Sequence, residues 1–230
     1  MKVSVYVEGP SDKAGLEVLL EPIIRAGNQK GVGIRFFELQ GKAPILDKVP
    51  RMAAEILKQQ PEDWVFALPD LYPMSSFDDG PHKHRSFKDL ERLLRGRFDA
   101  RADNLGLSDA VRTRVRIHCL KHDLEALLLA APEQLRQRLR TKDALRDWWC
   151  KPVEDQNDSK PPKRVVEALF KKYRKNSKYV DTSDVPAILK GADLEMLERE
   201  CPQHFAPFTR ELRDIVSGVS LTKPGGISQP

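Results

Sequence analysis

Two carboxylates stand four residues apart near the start of the chain, Glu8 and Asp12 in Val7-Glu8-Gly9-Pro10-Ser11-Asp12. The preceding residues, Lys2 to Val7, are rich in β-branched side chains and predict a strand that Gly9-Pro10 stops. Ser11 or Asp12 then caps a helix in which Leu16, Leu19, Leu20, Ile23 and Ile24 recur at helical spacing. Glu8 therefore falls at the C-terminal tip of a strand and Asp12 in the first helical turn. In open parallel sheets that edge is where ligands bind. The arrangement recurs twice. The apolar run Trp64–Leu68 ends at Pro69-Asp70, and a strand over 111–120 is followed by His122-Asp123-Leu124-Glu125. An acid at one such junction is explained equally well as a cap or a dipole partner. Three junctions are less easily explained that way.

If they converge, Glu8, Asp12, Asp70, Asp123 and Glu125 supply the oxygen ligands that Mg²⁺ (or Mn²⁺) takes together with substrate phosphates. A pair of such ions activates a water and stabilises the leaving oxygen in phosphodiester cleavage. Glu8, Asp70 and His122 are the candidate catalytic residues. His122 serves as a proton carrier or phosphate contact, or simply begins a helix and bonds locally. The spacing His118-x-x-x-His122 fits zinc poorly, because His118 reads as strand and no zincin glutamate follows. His82 and His84 lie in an irregular loop over 71–84, where exposed histidines mostly bind nothing. There is no Gly-rich phosphate loop, so the chain is not expected to hydrolyse ATP, and there is no Gly-x-Ser-x-Gly elbow.

The composition bounds the partners. The chain has 230 residues, 40% hydrophobic and 32% charged, with a net charge of +5. The positive charge is concentrated. Lys160, Lys163, Arg164, Lys171, Lys172, Arg174, Lys175 and Lys178 face the single acid Glu167. Such a cluster binds nucleic acid by neutralising phosphates, and is otherwise a solvated helix face. Cys119, Cys150 and Cys201 are odd in number and form no Cys-x-x-Cys pair, which favours reduced thiols in a cytoplasm. No run approaches a membrane span, and the opening run is too short and too acidic for a signal peptide.

The elements that position these residues follow from periodicity. A second strand spans 31–39, residues 41–44 form a loop, and a helix spans 45–59 despite Pro50. Another helix runs from Ser86 to Phe98. In the strand over 111–120, Val115, Ile117 and Cys119 alternate with Arg114, Arg116 and His118. A strongly apolar helix starts at His122, with Asp123 and Glu125 in its first turn. Beyond Pro132 the pattern is helical: short helices over 133–139 and 142–149, a polar loop over 153–162, a helix from Pro162 to about Tyr173, and short helices over 185–216. The organisation expected is an α/β core over 1–150, a basic helical region packed on it over 151–216, and a flexible tail over 217–230.

Val7-Glu8-Gly9-Pro10-Ser11-Asp12, Asp70-Leu71-Tyr72 and His122-Asp123-Leu124-Glu125-Ala126-Leu127-Leu128 resemble the Toprim fold. More closely they resemble the family called domain of unknown function 4276, related to the nuclease domain of overcoming-lysogenization-defect proteins. Lys160-Pro161-Pro162-Lys163-Arg164, Tyr173-Arg174-Lys175 and Glu200-Cys201-Pro202 extend the resemblance to about residue 216. It implies a Toprim-like parallel four-stranded sheet flanked by helices, with a helical C-terminal extension. Glu8 matches the Toprim glutamate that binds metal or acts in acid/base chemistry, Asp12 the second acid of a Glu-x-x-x-Asp form, and Asp70 the first acid of Asp-x-Asp. Tyr72 stands where the second acid is expected, which removes one ligand, and Asp123-Leu124-Glu125 resembles a later Asp-x-Glu pair. The resemblance also implies a Mg²⁺-dependent nuclease in bacterial anti-phage defence, with a partner ATPase of ABC or AAA type. Lys160, Lys163, Arg164, Lys171, Lys172 and Arg174 would hold the nucleic acid, with DNA favoured over RNA. The alternative is a non-catalytic nucleic-acid-binding or regulatory subunit that retains the fold.

Overall fold

The computed structural model describes residues 1–72, 80–156, 160–175 and 177–219. Four strands form one sheet, β1 (Lys2–Val7), β2 (Gly33–Glu38), β3 (Trp64–Ala67) and β4 (Val115–Ile117), in the order β2-β1-β3-β4. Every pairing is parallel, with Tyr6 of β1 opposite Phe37 on one side and Ala67 on the other. A bridge between Asp70 and Leu120 continues the β3–β4 pairing past the strand ends. All four strand tips thus open on one edge. The fold is α/β, an all-parallel sheet with helices on both faces, as the family resemblance implies.

Alternation in the strands splits the core into two layers. Val3, Val5, Val7, Ile34, Phe36 and Phe66 face helices α1 (Pro10–Leu19), α2 (Glu21–Gln29) and α6 (Glu125–Ala130). The same layer takes in helices α7 (Pro132–Leu139), α8 (Pro162–Tyr173), α9 (Asp181–Leu189), α10 (Leu194–Glu200) and α11 (Phe205–Ser217). Residues on both sides of position 150 therefore share one continuous hydrophobic cluster. On the other face Tyr6, Val65, Ala67 and Ile117 pack against α3 (Lys42–Gln59) and α4 (Phe87–Leu105). A short helix, α5 (Asp109–Arg112), precedes β4.

Several elements differ from their sequence expectation. The first helix is two helices, α1 and α2, parted at Leu20, because Pro22 occupies the first turn of α2 and lacks the N–H a continuous helix needs. Helix α3 begins at Lys42, inside the expected loop, with Gly41 at its N-cap. Helix α4 runs seven residues past Phe98, to Leu105, where Gly106 ends it in a left-handed conformation. Only Arg146–Trp148 of the expected 142–149 helix is helical, and it is a 3₁₀ turn. From residue 220 the expected flexible tail lies outside the described residues, as does the 73–79 part of the loop before His82.

The expected fourth strand forms, shorter than 111–120, and its polar side chains are buried. The strand face that carries Arg116 and His118 is covered, and these residues are only 4% and 9% exposed. Helix α11 covers that face and carries Glu211, which accepts from Arg116 Nε and Nη2 at 2.9 and 2.8 Å. The same carboxylate lies 2.9 Å from His118 Nε2, and the His118 ring stacks on Phe66. Polar side chains on a strand are tolerated inside when a carboxylate meets them.

Candidate functional site

Glu8 leaves β1 pointing along the open edge. Its carboxylate accepts the backbone N–H of Asp70 at 2.9 Å and that of Lys42. The Gly41 N–H donates to the Glu8 carbonyl at 2.8 Å, and Gly41 adopts a φ of 119°, open to glycine and strained for any other residue. This tight exit brings the start of α3 against the tip of β1. Lys42 follows from it: the side chain is 5% exposed, and its Nζ donates to the Leu71 carbonyl at 3.0 Å. Asp12 closes the first turn of α1, its Oδ2 accepting from the Gly9 N–H at 2.8 Å. The N-cap of α1 is Gly9, not Ser11 or Asp12 as the sequence suggests, and Asp12 is the third helical residue reaching back to it.

Asp123 and Glu125 arrive from the other side. Asp123 lies ahead of α6 rather than in its first turn, and Glu125 is the first residue of that helix. The difference matters, because Asp123 is then turned toward the first turn of α8, where the Lys163 N–H donates to its Oδ2 at 3.3 Å. The second oxygen, Oδ1, is buried and has no hydrogen-bond partner. Glu125 is 4% exposed and accepts from the Tyr179 hydroxyl at 2.9 Å. Lys163 Nζ lies 3.5 Å from Glu125 and 3.1 Å from Asp181.

The five acids form one electrostatic group. Burial, then the charge of Glu8, Asp12 and Asp123, pushes Asp70 well above the carboxylate range. Burial and Glu125 raise Asp123 to about 8, and burial with Glu8 and Glu125 raises Asp12 to about 6. Burial raises Glu8 as well, opposed by its two backbone donors and by Lys42. Burial draws Lys42 down while Glu8 and Asp70 oppose it. Burial acts the same way on Lys163, but there Glu125, Asp181 and Asp123 outweigh it and hold the ammonium above its usual range. Acids that raise one another in this way have an unmet demand for positive charge.

The donor chemistry of these residues is that which a hard divalent cation takes. The donors are carboxylate oxygens, their charges repel, and Asp123 Oδ1 is a buried acceptor with nothing donating to it. Among the described residues no three histidine, cysteine, aspartate or glutamate side chains are grouped so that they could hold one metal ion, so a cation here would have to draw the acids closer or take most of its ligands from water and substrate.

The remaining candidates divide. His122 is 3% exposed and stacks on Tyr72 with ring centroids 5.0 Å apart, at the same edge as the acids. His84 is buried rather than exposed, and its Nδ1 donates to the His82 carbonyl at 2.7 Å. Of the cations on α8, Lys163 belongs to the carboxylate group. Arg174 is committed to the Arg138 carbonyl at 2.6 Å, and Arg164 pairs with Glu167 at 2.7 Å. Lys160, Lys171 and Lys172 are exposed. Sequence reasoning missed Lys42, Tyr179 and Asp181. Lys42 had one readable signal, its place just after a glycine at the end of the strand that neighbours β1. Tyr179 and Asp181 had none.

An all-parallel α/β sheet with a buried carboxylate cluster at its open edge defines the class of protein. The chain belongs to the DUF4276 family, a domain of unknown function whose family model matches residues 7–213. No curated protein and no solved structure matches it.

Proposed function

We propose that the chain is a divalent-metal-dependent nuclease of Toprim type. The observation that carries this reading is the gathering of Glu8, Asp12, Asp70, Asp123 and Glu125 at one sheet edge beside the cations Lys42 and Lys163. Glu8 and Asp70, bonded to each other through a backbone N–H, would hold metal on the β1–β3 side, and Asp12, Asp123 and Glu125 on the α8 side. Bound there, Mg²⁺ or Mn²⁺ supplies an activated water and charge for the departing oxygen.

The other roles belong to the chain's own groups. Lys163 is 42% exposed at its side chain and sits at the rim, where it meets a scissile phosphate while Glu125 and Asp181 orient it. Lys42 is enclosed and neutralises Glu8 and Asp70 from behind. Glu8, raised above its usual value by burial, is the candidate proton carrier. The stacked pair Tyr72–His122 walls the site, with His122 as a phosphate or proton contact. Kinship with the Toprim nucleases, DNA rather than RNA as substrate, a place in anti-phage defence, a partner ATPase of ABC or AAA type and a cytoplasmic location belong to the same proposal. Among the described residues no helix is long and apolar enough to cross a membrane.

Tyr72 supports a second reading. An aromatic ring stacked on His122 stands where a further acid would strengthen metal binding, and a regulatory subunit that binds nucleic acid without cutting it would tolerate that exchange. One experiment separates the two. Plasmid, linear DNA and RNA are incubated with wild type and Glu8→Ala in Mg²⁺ or Mn²⁺. Cleavage by wild type alone supports the nuclease. Cleavage by both removes Glu8 from the site, and salt-sensitive binding without cleavage by either supports the regulatory subunit.

A further inference from the structure

Trp148 lies in the 3₁₀ turn Arg146–Trp148, half-buried, with part of the indole packed against the core. Two lysines from one neighbouring segment converge on its ring. Lys160 Nζ is 5.4 Å from the ring centroid and also donates to the Trp148 carbonyl at 3.3 Å, and Lys172 Nζ is 5.1 Å away. Lys172 also sits 4.7 Å from the ring of Tyr173, whose hydroxyl donates to Asp143 at 2.8 Å. Two aromatic rings are thus held in place beside the ammonium groups of two exposed lysines. This arrangement lies along α8, the helix whose first turn bonds Asp123. Lys160 precedes Lys163 by three residues, a span of at most about 11 Å.

We propose that Trp148, with Tyr173 and the lysines 160 and 172, is a stacking platform for the bases of single-stranded nucleic acid. Aromatic rings interleaved with cations are what an unpaired strand uses: the bases stack on the rings and the ammonium groups take the phosphates. A duplex keeps its base faces stacked inside and gains only the phosphate contacts. The lysines over Trp148 swing onto the backbone as a base replaces them. The inference extends the proposed function by naming the strandedness of the substrate, and it rests on that reading only for what happens after binding.

The test therefore measures binding without metal. In EDTA, tryptophan emission and affinity are followed with oligo-dT, oligo-rU, an abasic strand of equal length and a duplex, for wild type and Trp148→Leu. Wild type is expected to be quenched by both base-bearing strands and to bind them more tightly than the abasic strand or the duplex. Trp148→Leu is expected to lose about tenfold in affinity for oligo-dT, with little change for the abasic strand. Equal affinity of wild type for abasic and base-bearing strands overturns the platform, and needs no variant to fold. So does unchanged binding of oligo-dT by a folded Trp148→Leu. A preference for only one of oligo-dT and oligo-rU assigns the strand as DNA or RNA. Binding that depends on Trp148 in a protein that cleaves nothing sustains the platform while refuting the nuclease.

Discussion

The backbone N–H of Asp70 donates to the carboxylate of Glu8 at 2.9 Å, across 62 positions of sequence. This bond joins the tips of the two central strands and sets two acids side by side. Glu8→Ala removes a candidate ligand and a proton carrier together. Metal-dependent cleavage is expected to fall by about 10²–10⁴-fold, and calorimetric titration with Mn²⁺ in the absence of substrate should show weakened binding. Full activity in the variant would place the chemistry elsewhere.

The metal-free protein should lose stability as pH rises. Asp12, at about 6, and Asp123, at about 8, are raised above their unfolded value near 3.9. The native state therefore holds protons that the unfolded chain has released. Their contribution is fully present below about pH 4 and is lost as pH climbs through 6 for Asp12 and 8 for Asp123. Saturating Mg²⁺ displaces those protons, so its stabilising effect should grow over the same window. Thermal melts from pH 5 to 8.5, with EDTA and with Mg²⁺, check both slopes. A metal-free melting temperature that rises between pH 6 and 8 would contradict the buried cluster.

Tyr179→Phe keeps the ring and removes the hydroxyl that donates to Glu125. A hydrogen bond to a charged group is worth about 1.5–3 kcal/mol, which urea denaturation would read directly. Because Lys163 remains beside Glu125, nucleic-acid binding should change less than stability.

Gly15→Ala tests how α1 meets α9. A Cβ at Gly15 would lie 2.6 Å from Val185 Cγ1 and 2.8 Å from Leu124 Cδ2. Leu124 adjoins Asp123 and Glu125, so any relaxation moves the acids. Overpacking of this kind costs about 1–3 kcal/mol. The midpoint of denaturation is expected to drop, with weaker Mn²⁺ binding as a second readout.

Glu211→Ala strips the carboxylate that bonds both Arg116 and His118 from helix α11. Breaking a buried ion pair from one side costs about 3–5 kcal/mol, and the low end applies because Glu211 is 24% exposed. Glu211→Gln should recover part of the loss in the same denaturation experiment.

The sequence by itself determined the strands, the parallel α/β class and the acids at three strand tips. Those features are local: β-branched runs, a Gly-Pro stop, and an acid within a few residues of the end of each run at Glu8, Asp70 and Asp123. Only the tertiary structure decided which of the neighbouring groups share the site. Lys42 reaches Glu8 because β2 lies beside β1 and α3 starts at once. Tyr179 reaches Glu125 because the segment leading into α9 packs on α6. Arg116 and His118, the polar residues of the alternating β4 strand, are buried because a helix from the far end of the chain brings Glu211 to them. Periodicity records which face of a strand is apolar, whereas the helix that covers the other face is chosen by long-range packing, and no local pattern encodes its register.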